Sequence, residues 1–148
     1  MKDYVIGGYK LKKYLAATIF EIKGLRLKVG FFGTKSYKMT GKLVSEVALW
    51  NEFGVPSNGQ PPRPFMRRAM YRKGWVKKFK TLYKSCNKDW TLIFKGLGNE
   101  LKELIVESIW RLESPELAES TIIRKNDDKP LIETELMVHS VGYRVIKK

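Results

Sequence analysis

The chain has 148 residues, 43% of them hydrophobic and 12% aromatic, and a formal net charge of +14 at pH 7. A chain of this length and apolar content is expected to fold as one domain, residues 1–148, which excludes global disorder and the need for a stabilising staple. Cys86, the one cysteine, cannot form an internal disulfide and fits a reducing compartment, and neither a membrane-spanning apolar run nor a signal-peptide core is expected.

Taken in chain order, Leu11, Leu15, Ile19 and Ile22 recur at helical spacing, which predicts an N-terminal helix over about 9–22, ended by Gly24. The core is then expected over about 25–148. Leu25-Arg26-Leu27-Lys28-Val29-Gly30-Phe31 alternates apolar residues with polar or small ones, the pattern of a half-buried strand. Residues 33–41 read as a polar loop or hairpin connection. Residues 43–53 fit two periods. Val44, Val47, Ala48 and Asn51 suit a helix; Leu43, Val47 and Leu49 suit a strand. A short helix closed by Gly54 is the preferred reading.

Residues 51–70 are stiff, aromatic and basic together. Pro56, Pro61, Pro62 and Pro64 each fix φ and remove a backbone donor, and Pro64 suits the start of a helix. The segment reads as an elbow that delivers Phe65 and a basic helix, about 64–85, which Gly74 bends or splits. From Arg63 to Lys88 there are ten basic residues and no acidic one. Such a surface attracts polyanions and acidic protein faces. Trp75, Phe79 and Tyr83 interleave with the lysines, but they fall on the apolar stripe and suit core packing better than base stacking.

The clearest helix lies between Asp89 and Leu112. Ile93, Leu97, Leu101, Leu104, Ile105 and Ile109 keep its repeat, Asp89 suits the N-cap, and Ser114-Pro115 stops it. Gly96 and Gly98 weaken it by about 1 kcal/mol each and imply close contact with another backbone. After Leu117–Lys125 and Pro130–Thr134 comes an apolar turn at Leu136 and Met137. Alternation at Val141, Tyr143 and Val145 then predicts a closing strand. The fold class expected is α+β: a small twisted antiparallel sheet packed against the long helix of the C-terminal half and the basic helix.

Nothing assembles into a catalytic set. His139 is the one histidine, and no Cys/His group suits zinc. Asp127 and Asp128 are adjacent turn residues rather than converging carboxylates. Glu100, Glu103 and Glu107 read as a solvated helix side, and Gly96-Leu97-Gly98 lacks the rest of a dinucleotide fingerprint. The expectation is a non-enzyme with no cofactor and no metal.

The runs Val29-Gly30-Phe31, Glu46 to Gly54 (with Asn51-Glu52-Phe53-Gly54) and Pro61-Pro62-Arg63-Pro64-Phe65-Met66-Arg67 resemble the tail-completion, or virion-morphogenesis, family of tailed bacteriophages. Leu117 to Lys125, Pro130 to Thr134 and the closing strand are similar too, so the resemblance covers about residue 25 to the end. Where the family usually has glycine, this chain has Glu135. Glycine permits a turn that glutamate adopts with difficulty, so Glu135 is expected in the first turn of a helix capped by Thr134.

The resemblance implies a structural virion protein of the neck or head-proximal tail end, assembled in the host cytoplasm. It would act in a homo-oligomeric ring, expected to be a hexamer, beside other neck and tail-tube proteins. Phe53, Gly54, Pro61, Pro62, Arg63, Pro64 and Phe65 are the candidates for a subunit or partner interface; a role confined to the chain's own fold is an equal alternative for Phe53, Gly54, Pro64 and Phe65. Arg67, Arg68, Arg72, Lys73, Lys77 and Lys78 are the candidates for an acidic partner or genomic DNA. A tail-terminator or stopper ring, a non-specific nucleic-acid-binding protein, and a hydrolase using Asp127 and Asp128 are the rivals.

Overall fold

The structure, a computed structural model, describes residues 3–6, 9–12, 17–22, 24–72, 74–112 and 135–147, with side chains from Glu21 onward. Its fold class is α+β. The strands β1 (Asp3–Ile6), β2 (Tyr9–Lys12), β3 (Ala17–Ile22), β4 (Leu25–Phe31) and β5 (Val141–Lys147) form an antiparallel sheet in the order β1-β2-β3-β4-β5.

Where residues 9–22 are described, at 9–12 and 17–22, strands replace the helix expected there. Helical spacing of four apolar residues loses to pairing: Ala17 through Ile22 lie in register with Gly30 through Leu25. Gly24, at φ +74°, turns this hairpin instead of ending a helix. Ala-Thr-Ile-Phe-Glu-Ile carries the β-branched and aromatic residues that a pleated surface accommodates. β5 returns from the far end of the chain to pair with β4 along its length, from Leu25 opposite Lys147 to Phe31 opposite Val141.

Among the described residues there are five α-helices, packed on the sheet or on one another. They are α1 (Val44–Phe53), α2 (Phe65–Tyr71), α3 (Gly74–Ser85), α4 (Trp90–Trp110) and α5 (Leu136–Ser140). The basic segment is split into α2, which ends at Tyr71, and α3, which begins at Gly74, as Gly74 suggested. Glu46 begins α1 by accepting the Leu43 backbone N–H at 3.1 Å. Asp89 begins α4 by accepting from the N–H groups of Thr91 and Leu92 at 2.8 and 3.2 Å, which satisfies donors that the helix itself leaves unpaired.

α4 is the central member. One side packs on β4 and β5, and others meet α2 and α3. Ile93, Phe94, Leu97, Leu101, Ile105 and Ile109 of α4 join Leu27, Val29 and Phe31 of β4 in the core. Phe65, Met66 and Ala69 of α2 and Met137 and Val138 of α5 complete it. Each large apolar side chain buried this way contributes roughly 1.5–3 kcal/mol. Gly96 and Gly98 do mark close approaches, but to side chains rather than to another backbone: Leu82 of α3 over Gly96, and the Tyr143 ring of β5 over Gly98.

Glu135 also differs from expectation. It is not inside the first turn of α5. It is the N-cap, with φ 55° and ψ −1°, so it takes the left-handed turn that a glycine would adopt freely. An L residue there carries about 1–2 kcal/mol of strain, partly offset because glycine adds unfolded-state entropy. Glu135→Gly is expected to raise stability by roughly 0.5 kcal/mol in urea unfolding; a clear loss would show that the Glu135–His139 contact at 3.4 Å outweighs the strain. Residues 117–125 and 130–134, which also bear on the resemblance, lie outside the described residues.

Candidate functional site: the elbow and the basic helices

The elbow begins at the last turn of α1. Val44, Ala48 and Glu52 occupy its buried stripe, so a carboxylate sits where an apolar residue would be expected. Glu52 is 1% exposed. Its side chain accepts from the backbone N–H of Met66 at 2.8 Å and of Arg67 at 3.1 Å, the unpaired donors at the start of α2. It also accepts from Arg67 Nε at 2.8 Å, while Arg67 Nη2 donates to the Glu52 carbonyl. A carboxylate at a helix N-terminus is stabilised by those donors and by the helix dipole. Burial still dominates, and it holds the Glu52 carboxyl above its usual range; Arg67 and the two backbone N–H groups pull it down only in part.

Between the two helices the chain turns back on itself. Gly54 leaves α1 at φ +73°. Val55 and Gln60 exchange backbone hydrogen bonds at 2.9 and 3.2 Å across the single 3₁₀ turn Pro56–Asn58. Asn51 donates to the Val47 carbonyl at 2.8 Å and accepts from Gln60 Nε2 at 3.2 Å, and its own carbonyl accepts from the Arg63 N–H. A Cβ on Gly54 would lie 2.7 Å from the Gln60 carbonyl oxygen and 2.9 Å from Pro62 N. Gly54→Ala therefore meets backbone on both sides in a conformation alanine rarely adopts. The expected cost is about 2 kcal/mol, read as a lower midpoint in urea unfolding.

The candidate interface residues divide by exposure. Arg63 is 5% exposed and Phe65 is fully buried. Phe65 meets Phe31 edge-to-face at 5.9 Å. Both serve the packing of the elbow inside the chain. Burial also lowers the Arg63 pKa from its usual value. Phe53, Gly54 and Pro64 are half-buried, and Pro61 and Pro62 are exposed. Arg67 stacks over the Phe53 ring at 5.2 Å.

The basic candidates divide too. Arg67 is held by Glu52. Arg72 pairs with Glu107, which also holds Arg111 at 2.7 Å. Glu107, whose side chain stays 38% exposed on the solvated side expected, thus also links the end of α2 to α4; its spacing four residues before Arg111 was the available signal. Arg68, Lys77 and Lys78 are exposed, as are Lys80, Lys84 and Lys88, while Lys73 lies outside the described residues.

The aromatic residues of α3 do not form a base-stacking platform. Phe79 and Tyr83 pack with Trp90 of α4 at ring separations of 6.3 and 5.7 Å. Trp75 donates its indole N–H to the Met70 carbonyl at 2.9 Å. Cys86 is half-buried against the core.

Among the described residues no three His, Cys, Asp or Glu side chains converge on a possible metal position, and no helix is long and apolar enough to cross a membrane. Asp127 and Asp128 lie outside the described residues. Glu52 is the residue that sequence reasoning passed over: its partners are 14 and 15 positions away across a loop, and only its place on the buried stripe of α1 marks it. Comparison with family models, curated proteins and solved structures returned no match.

Proposed function

We propose that this chain is a structural virion subunit of the phage neck or head-proximal tail end, acting within a homo-oligomeric ring that joins tail to head. One observation carries the reading. Two of the motifs behind the family resemblance, Asn51 to Gly54 and Pro61 to Arg67, meet through Glu52 and fasten α1 to the start of α2. That contact gives a physical reason for the motifs to occur together with a loop between them whose sequence is unconstrained by the clamp.

The elbow then works as a shaped part. Its buried members fix the angle between α1 and α2. Pro61, Pro62 and the exposed residues 56–59 meet the neighbouring copy, at a patch different from their own, as a ring requires. Arg68, Lys77 and Lys78 face an acidic partner or the passing genome. Tail-terminator and stopper positions use the same local chemistry and differ in their neighbours. The test is assembly of particles with and without this chain. Separate heads and tails in its absence, and subunits arranged around the tail axis when it is restored, are expected. Normal infectious particles without it would overturn the proposal.

A further inference from the structure

We propose that the solvent face of β4 and β5 is a second polyanion-binding surface, fitted to the phosphate backbone of duplex nucleic acid and separate from the basic helices. It does not depend on ring assembly. The register sets Arg26, Lys28 and Gly30 of β4 opposite Ile146, Arg144 and Gly142 of β5. This is the face turned away from α4, because Leu27, Val29, Tyr143 and Val145 belong to or pack against the core. Lys28 and Arg144 are direct cross-strand partners. Two cations placed so stand roughly 5 Å apart at Cβ and repel.

Among the described residues no carboxylate is paired with either cation. The acidic Glu21 is held by Arg26 at 2.8 Å, and neither Lys28 nor Arg144 joins an ion pair among the described residues. The same row runs on through Ile19 of β3 to the register position of Lys10 in β2.

Arg144 is also propped for contact. Its guanidinium lies 4.8 Å from the centre of the Phe32 ring, and the space a Cβ would take on Gly142 is bounded by that ring at 3.6 Å. That is ordinary contact, so the ring lies beside the strand at position 142 and supports the exposed Arg144 guanidinium. Stacking of this kind orders the guanidinium while leaving its N–H donors for an anion.

A duplex fits this surface better than an acidic protein does. A protein face offers a few carboxylates at positions set by its own fold. A duplex offers a charge about every 1.7 Å of axis, so adjacent like charges are matched without a dedicated geometry. The same face of a second copy would set like charges against Lys28 and Arg144, so it is not the occupant of this patch. Because α4 lies between α3 and the sheet, the exposed lysines of α3 form a different face, and one molecule has two places to hold nucleic acid.

The test is salt-dependent binding to a fluorescent duplex of about 30 base pairs, between about 50 and 200 mM salt. Lys28→Gln/Arg144→Gln is expected to bind roughly tenfold more weakly at the lower salt and to reduce the slope of log K against log salt by about 2. Its Tm should hold or rise, since a repulsive pair is gone. Lys77→Gln/Lys80→Gln/Lys84→Gln should lower the slope independently, and the two sets should add. Arg144→Gln alone, at an exposed position, keeps the test open if the double variant folds poorly, with a slope lower by about 1. Unchanged affinity and slope in the sheet variants, or wild-type protein that binds polyglutamate and ignores the duplex, would overturn the inference.

Discussion

Glu52→Ala is expected to lower the unfolding free energy by about 3 kcal/mol, the low end for breaking a buried ion pair, with Tm falling by roughly 10 °C. The low end applies because Arg67 is 27% exposed at its side chain, so water can reach the stranded guanidinium. The N–H of Met66 cannot be rescued so easily, since Met66 is 1% exposed, and an unpaired buried donor costs about 1–3 kcal/mol by itself. Glu46→Ala is the control. It also removes a carboxylate from a helix start, but an exposed one, and should cost less than about 1 kcal/mol. Equal losses in the two variants would remove Glu52 as the clamp. Tryptic cleavage near Arg67 and Arg68 should accelerate only in the Glu52 variant, because that change alone frees the start of α2.

The same carboxylate is expected to give stability a pH dependence. Burial raises the folded Glu52 pKa above the usual 4.5. Between that value and the raised one, the folded chain binds more protons than the unfolded chain, so the stability contributed by this group is full below 4.5 and declines as pH rises through the folded pKa. Glu52→Gln cannot titrate. Its amide also places a donor against the donors of α2, so it is less stable than wild type throughout. The gap between the two, taken from urea curves at successive pH values, is expected to narrow from acid towards neutral pH. A widening gap would mean that Arg67 and the backbone donors outweigh burial.

What was legible in the sequence depended on how local the cause was. α4 is written in adjacent turns: an aspartate cap, then apolar residues at unbroken helical spacing. The division of the basic segment is written in Gly74, and β4 in its alternation. β2 and β3 are misread although their partners are the next strands in the chain, because their apolar residues also fit a helical repeat and Gly24 suits a helix stop as well as a hairpin turn. Leu11, Leu15, Ile19 and Ile22 satisfy a helical repeat, and only β4 shows that Ile19 and Ile22 belong to a hairpin. The elbow was legible as a stiff basic segment, but its clamp was not. Glu52, Met66 and Arg67 meet across a loop, and nothing in the spacing of Glu52 announces its partners. The division of the cations is similar. Arg67 and Arg72 look no different from Arg68 in sequence, yet carboxylates on other elements hold the first two.

Gly98→Ala tests the packing of the long helix on the sheet, and the local rule and the tertiary one point in opposite directions. Alanine is the better helix former by about 1 kcal/mol, and by that rule both Gly96→Ala and Gly98→Ala stabilise. The added Cβ at 98, however, would lie 2.4 and 2.6 Å from Cδ2 and Cγ of the Tyr143 ring, which is anchored on β5 opposite Val29. Because Cγ, the base of the ring, is one of the atoms met, the clash is not relieved by moving a chain end. Overpacking of this kind costs about 1–3 kcal/mol, and here it falls on a rigid aromatic in the middle of a strand, so a net loss of about 2 kcal/mol is expected. At Gly96 the added Cβ meets the terminal methyl groups of Leu82 at 2.8 and 2.9 Å. That side chain lies on α3, which has no fully buried residue, and it can rotate. Gly96→Ala should therefore stay within about 1 kcal/mol of wild type. Gly98→Ala/Tyr143→Leu removes the ring and should recover part of the loss, a coupling expected only of residues in contact. If Gly98→Ala gains stability instead, helix propensity governs this position and the glycine is not there for the tyrosine.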